Sequence, residues 1–92
     1  MAIKKSRPTE TVTLEFPIDV DGVSVDSLTV RRPTVRDQLN MDRMKGSETE
    51  KGVKYIANLC EVAPSDIEQL DAADFLKLSE VVQDFNGPRA EK

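Results

Sequence analysis

The sequence predicts an α+β fold, an N-terminal β-hairpin followed by three to four α-helices, and three observations predict it. Apolar residues alternate with polar ones along residues 12–20 and again after an Asp-Gly pair. Beyond residue 34 the apolar spacing changes from every second position to every third or fourth, the helical period. Four times, at Thr34/Asp37, Ser47/Glu50, Ser65/Glu68 and Asp71/Asp74, a side chain suited to an N-cap precedes an acidic residue by three, the helix-start pattern.

The hairpin is expected over about residues 11–32. Val12, Leu14, Phe16, Ile18 and Val20 share one face of the first strand, because side chains alternate along an extended chain. Asp21-Gly22 is a two-residue turn signal, since both central positions need positive φ. That turn pairs Val20 with Val23 and Ile18 with Val25. The phase then slips, because the next apolar residues are Leu28 and Val30. One extra residue near Asp26-Ser27, a β-bulge, would place Phe16 opposite Leu28 and Leu14 opposite Val30. Pro17 then sits across from the bulge, where a missing N–H is tolerated.

Arg31-Arg32-Pro33 closes the strand. A first helix is expected over about 35–45, capped by Thr34 with Asp37 and stopped by Gly46. Val35 and Leu39 are expected on its buried face, with Met41 and Met44 pointing away. A second helix spans about 48–61, with Val53, Ile56, Ala57 and Cys60 as its buried stripe. Ala63-Pro64 ends it. Ser65 with Glu68 opens a short turn of helix over 66–70, and Asp71 with Asp74 caps a last helix over 72–86. Phe75, Leu78, Val81, Val82 and Phe85 line one side of that helix, and Gly87-Pro88 stop it. Residues 1–9 read as a basic disordered arm, 10–87 as one domain and 88–92 as a polar tail.

The 92 residues are enough for one modest core, built mainly from aliphatic side chains because Trp is absent and aromatics are few. No apolar run approaches the roughly 20 residues that span a bilayer, and no apolar stretch follows the basic start. Cys60 is the single cysteine and reads as a small buried hydrophobe. With no histidine and one cysteine, a structural zinc site cannot form, and the commonest general base is missing. Asp19 and Asp21 lack the following acidic ligands of a calcium loop. Catalytic residues, metals and other cofactors are therefore not expected. Neither is a small-molecule substrate. The net charge of −4 is uneven: residues 46–92 carry 5 Lys/Arg against 10 Asp/Glu. An acidic half disfavours nucleic-acid binding, because phosphate contacts need clustered cations.

Leu28-Thr29-Val30-Arg31-Arg32-Pro33-Thr34-Val35-Arg36-Asp37 after a hairpin resembles the signature of the tail assembly chaperones of Mu-like and related contractile-tailed temperate phages. Two later stretches extend the resemblance, Ala63-Pro64 to Leu70 and Leu70-Asp71-Ala72-Ala73-Asp74-Phe75-Leu76-Lys77-Leu78, so that it covers residues 12–86. Val30 stands where the pattern has Leu. The resemblance implies a protein of the bacterial host cytoplasm that is absent from the finished virion and is not an enzyme. It implies binding to the tape measure protein, a long helical polypeptide kept soluble until the tail tube polymerises, with the tail tube protein as a second partner.

A chaperone of this kind needs adaptable apolar contact area. Apolar residues left off the core stripes, Met41, Met44, Tyr55, Val62 and Leu76, are the expected partner contacts, with Arg31 and Arg36 as charged ones. Self-association through a free ribbon edge is a further expectation. Two other classes fit less of the sequence. A structural tail or baseplate component would be found in virions. A small DNA-binding regulator would need cations on a recognition helix that instead begins with Glu48 and Glu50.

Overall fold

The computed structural model describes residues 8–86. The expected arm and tail lie for the most part outside these residues, and strand pairing begins at Thr9.

Strands β1 (Thr9–Val20) and β2 (Val23–Arg31) form the expected antiparallel ribbon. Asp21 (φ 53°) and Gly22 (φ 81°) both take the left-handed conformation that the two-residue turn requires. Val20 faces Val23 and Ile18 faces Val25, as the alternation predicts. The irregularity, however, lies on β1 and not at Asp26-Ser27. Between the pairs Thr13/Ser27 and Ile18/Val25, residues 14–17 of β1 oppose Asp26 alone. Val12 therefore faces Leu28 and Glu10 faces Val30, in place of the expected Phe16 and Leu14.

The physical reason is a carboxylate from the far end of the chain. Asp74, fully buried, accepts the backbone N–H of Glu15 with both oxygens (3.1 Å each) and that of Phe16 with Oδ2 (3.2 Å). Pro17 has no N–H to satisfy. Three consecutive positions thus leave the ladder without an orphaned donor, which makes the long bulge tolerable. Side-chain alternation survives for Val12, Leu14 and Ile18, which are buried, while Phe16 turns outward.

Four helices follow: α1 (Val35–Arg43), α2 (Glu48–Cys60), α3 (Pro64–Ile67) and α4 (Ala72–Asn86). Two capping boxes form as read. Thr34 Oγ1 accepts the Asp37 N–H (3.3 Å) while Asp37 Oδ2 accepts the Thr34 N–H (2.7 Å). Ser47 and Glu50 repeat the exchange at 3.1 and 2.8 Å. The other two differ. The short helix begins at Pro64 and not at residue 66, because the Ala63 N–H donates to Asp66 Oδ2 (3.0 Å) and proline suits the first helical position. It ends at Ile67, short of Leu70. At the start of α4, Asp71 Oδ2 takes the Ala73 N–H (3.0 Å), whereas Asp74 is committed to β1 and takes no part in the cap.

Helix α1 stops at Arg43, and Met44 is already extended. Gly46 serves the connection at φ 121°, where a Cβ would stand 2.7 Å from Glu50 Oε1 and push the capping carboxylate away.

The ribbon lays its apolar face on the helices, α4 against β1 and α2 against β2. Val30, Leu59 and Leu78 are fully buried at the centre, surrounded by Leu14, Ile18, Leu28, Ile56, Ile67 and Val82. Gln69 fastens the hairpin tip, accepting the Asp19 N–H (3.0 Å) and donating to the Asp19 carbonyl (2.8 Å) as a neighbouring strand would.

Candidate functional site: an apolar groove between three helices

Helix α1 packs with the opposite face inward from the one its aliphatic residues suggest. Val35 and Leu39 are 72% and 47% exposed, and the buried residue is Asp37, at 5%. The expectation that Val35 and Leu39 face the core is thus reversed. Asp37 decides the rotation. Its carboxylate receives Arg31 in a two-pronged pair, Nη1 to Oδ2 at 2.8 Å and Nη2 to Oδ1 at 3.0 Å. It also accepts the Thr34 N–H and hydroxyl and the Asn58 amide (Nδ2 to Oδ1, 3.0 Å). The Arg31 guanidinium first, then the Thr34 groups, hold this carboxyl well below the usual carboxylate range. Turning Asp37 inward carries Met41 and Met44 with it, four and seven positions on, so both are half-buried. Val35 and Leu39 are left in solvent.

This rotation opens a groove of about 480 Å³ among α1, α2 and α4. Met41, Tyr55, Ile56 and Val82 supply its apolar surface; Gln38 and Asp42 of α1 and Ser79 and Gln83 of α4 supply its polar positions. Gly52 of α2 also lines it, a helix-interior glycine that costs about 1 kcal/mol relative to alanine. Helical spacing continues the apolar surface outward on both sides. Val35 lies three and seven positions before Gln38 and Asp42, and Leu39 is next to it on the wheel. Leu76, 58% exposed, lies three and seven positions before Ser79 and Gln83. Three of the five large hydrophobics exposed among the described residues, Val35, Leu39 and Leu76, therefore lie on the helix faces that carry the groove's α1 and α4 lining. Phe16 and Val23, on the ribbon, are the others. Among the described residues, Asp42 is the one charged residue of the lining, and none is Lys or Arg. Residues 8–86 as a whole carry eight Lys/Arg against sixteen Asp/Glu.

The residues expected from sequence are divided by the structure. Met41 and Tyr55 meet in the groove, although Tyr55 is buried, at 7% exposure. Met44 and Val62 meet elsewhere, in a second cleft of about 320 Å³ with Lys54 and Asn58. Leu76 lines neither cleft and is exposed on α4, one turn before Ser79. Arg31 is engaged with Asp37 and, more loosely, with Glu61 (3.9 Å), while Arg36 is exposed on α1. Sequence reasoning missed Val35, Leu39 and Gly52. The available signal was Asp37 itself, six residues after Arg31 on the turn that starts the helix, close enough for an ion pair that would fix the rotation of α1.

Cys60 is buried on α2, and burial pushes its thiol up to about 12, so it is a packing residue and a poor nucleophile. Among the described residues no group of three or more Cys, Asp or Glu is placed to hold a metal ion, and no helix is long and apolar enough to cross a membrane.

Compared with known proteins, residues 11–87 match the model of a family described as "Phage tail assembly chaperone proteins, E, or 41 or 14". No curated protein and no solved structure gives a match.

Proposed function

The chain belongs to the phage tail assembly chaperone family, and we propose that it binds the tape measure protein in the bacterial host cytoplasm and keeps it soluble until tail tube subunits polymerise around it. The observation that carries this reading is the groove between α1, α2 and α4, together with exposed Val35, Leu39 and Leu76 on the helix faces that continue its α1 and α4 walls. A long apolar helix laid there buries its own sticky face together with three aliphatic side chains of the chaperone, the helix-in-groove mode of recognition. Fully burying one such side chain contributes roughly 1.5–3 kcal/mol, and ordering the partner offsets part of it. The balance suits a chaperone, which must hold its client and then yield it to the tail tube protein.

Co-expression tests the reading. The tape measure protein encoded beside this chain is expressed alone, with the wild-type chain, and with a variant carrying Leu39→Asp and Leu76→Asp. Soluble tape measure that co-purifies with the wild type and is lost with the variant supports the proposal. Equal recovery with both chains removes the groove from the binding surface. An insoluble tape measure in every case removes the client itself.

A further inference from the structure

Among the described glycines, two are accounted for by the chain's own conformation and one is not. Gly22 and Gly46 have positive φ, and at Gly46 a side chain would also collide with Glu50. Gly52 lies inside α2 with no positive φ, and a Cβ there would meet only Phe75 Cζ at 3.7 Å, an ordinary contact. Neither backbone nor packing requires a glycine at this position, and helix propensity disfavours it. Gly52 also lines the groove, whose α4 wall carries the small Ser79.

We propose that Gly52 is the seat at which a partner α-helix inserts a large aliphatic side chain, between α2 and Ser79 of α4, with the helix's cationic flank toward Asp42. The missing side chain at residue 52 allows close approach to the α2 backbone, which is the physical use of glycine at a helix crossing. Met41, Ile56 and Val82 receive the inserted group, and the exposed Leu39 and Leu76 extend apolar surface along the α1 and α4 faces beside it. Charge selects the flank: among the described residues Asp42 is the one charged residue lining the groove, in a chain of net charge −4, so a Lys- or Arg-bearing helix is attracted and an acidic one repelled. This assignment rests on the groove being the client surface proposed above.

Substitution at Gly52 separates the client's need for the gap from the fold's own preference. Gly52→Ala relieves the helix penalty and fits beside Phe75, so the melting temperature of the free domain is expected to rise by a few degrees, roughly. Its recovery of soluble tape measure in the co-expression assay is expected to fall severalfold. Gly52→Leu fills the seat and is expected to cut recovery by about tenfold or more, since overpacking a fitted contact is strongly unfavourable. Increased stability with reduced client binding is the signature of a gap kept for a partner. If Leu39→Asp/Leu76→Asp abolishes recovery while Gly52→Ala and Gly52→Leu leave it intact, the groove stands as the client surface and the seat at Gly52 is overturned. If the Leu39/Leu76 variant has no effect either, both fall together.

Discussion

Helices α1 and α2 are consecutive, each opens with a capping box, and they use their apolar residues in opposite ways. Helix α2 buries Ile56, Ala57, Leu59 and Cys60 in the chain's own core, the ordinary fate of an amphipathic stripe. Helix α1 is fastened by a buried carboxylate and leaves Val35 and Leu39 in water. One helix is held by the hydrophobic effect, the other by a polar clamp whose donors and acceptors are matched. A small domain can thus present sticky surface without coming apart. If α1 were anchored through its aliphatic residues, they would be consumed by the fold. Anchoring it through Asp37 leaves them on the surface.

The largest expected effect tests the α2 side. Leu59 is completely buried, so Leu59→Ala removes a filled volume from the centre and should cost about 3 kcal/mol. That is a large fraction of the stability of a domain this small. The check is the midpoint of urea unfolding followed by circular dichroism. A loss below about 1 kcal/mol would mean that α2 is not the hydrophobic anchor of the domain.

The clamp of α1 comes next. Asp37→Ala deprives Arg31, the Thr34 N–H and Asn58 of their acceptor at once. Arg31 keeps 30% of its side chain in solvent, so its unpaired charge is partly rehydrated and the cost should be about 2 kcal/mol, less than for a fully buried pair. Faster amide exchange confined to α1 would locate the damage, whereas protection lost evenly over the whole domain would contradict a local clamp.

Acid should act on the same clamp and on the Asp74 staple. Both carboxyls are held below their ordinary value, Asp37 first by Arg31 and Asp74 first by the Glu15 N–H. For a lowered pKa the unfolded chain binds protons first as pH drops. The stabilisation is complete above the unfolded carboxylate value of about 4 and is lost progressively as pH falls below it toward the folded values. Stability should therefore be nearly flat from about pH 7 to 5 as far as these groups are concerned and decline below about pH 4. Asp37→Asn should flatten part of that decline. An unchanged slope would show that Asp37 is not among the groups driving it.

The contrast between the helices also explains what could be read from the sequence. The hairpin, its turn register, the extent of α4 and most of the core stripes of α2 and α4 were legible because they obey local rules of period and turn chemistry, but on α2 the stripe left out Leu59 and set Tyr55 outside it, and both are buried. The bulge was misplaced because its cause, Asp74, is 59 residues from Glu15, and no local pattern reports a carboxylate arriving from another helix. The rotation of α1 was misread for a related reason. Hydrophobic period ranks Val35 and Leu39 as core, and a buried ion pair overrides that ranking only when Arg31, Asp37 and Asn58 converge in space. The groove inherits both difficulties. Met41 and Tyr55 could be suspected as leftovers from the core stripes, but Gly52 becomes informative only once Phe75 is seen to leave room for a side chain there.

The smallest expected effect completes the comparison. Val35→Ser with Leu39→Ser replaces two aliphatic residues that contribute no buried core, so the unfolding midpoint should move by no more than the equivalent of about 0.5 kcal/mol. The same double change on α2, at Ile56 and Leu59, would be expected to unfold the domain, because both residues are buried in the centre. A large loss on α1 would mean that Val35 and Leu39 are buried by the chain itself in solution, and the polar clamp would then be an accessory to ordinary packing. Near-silence in the unfolding midpoint, together with reduced recovery of soluble client, would show that the fold does not depend on these residues and the partner does. A surface under that division of labour can change to follow its client while Asp37 and Arg31 keep α1 in place.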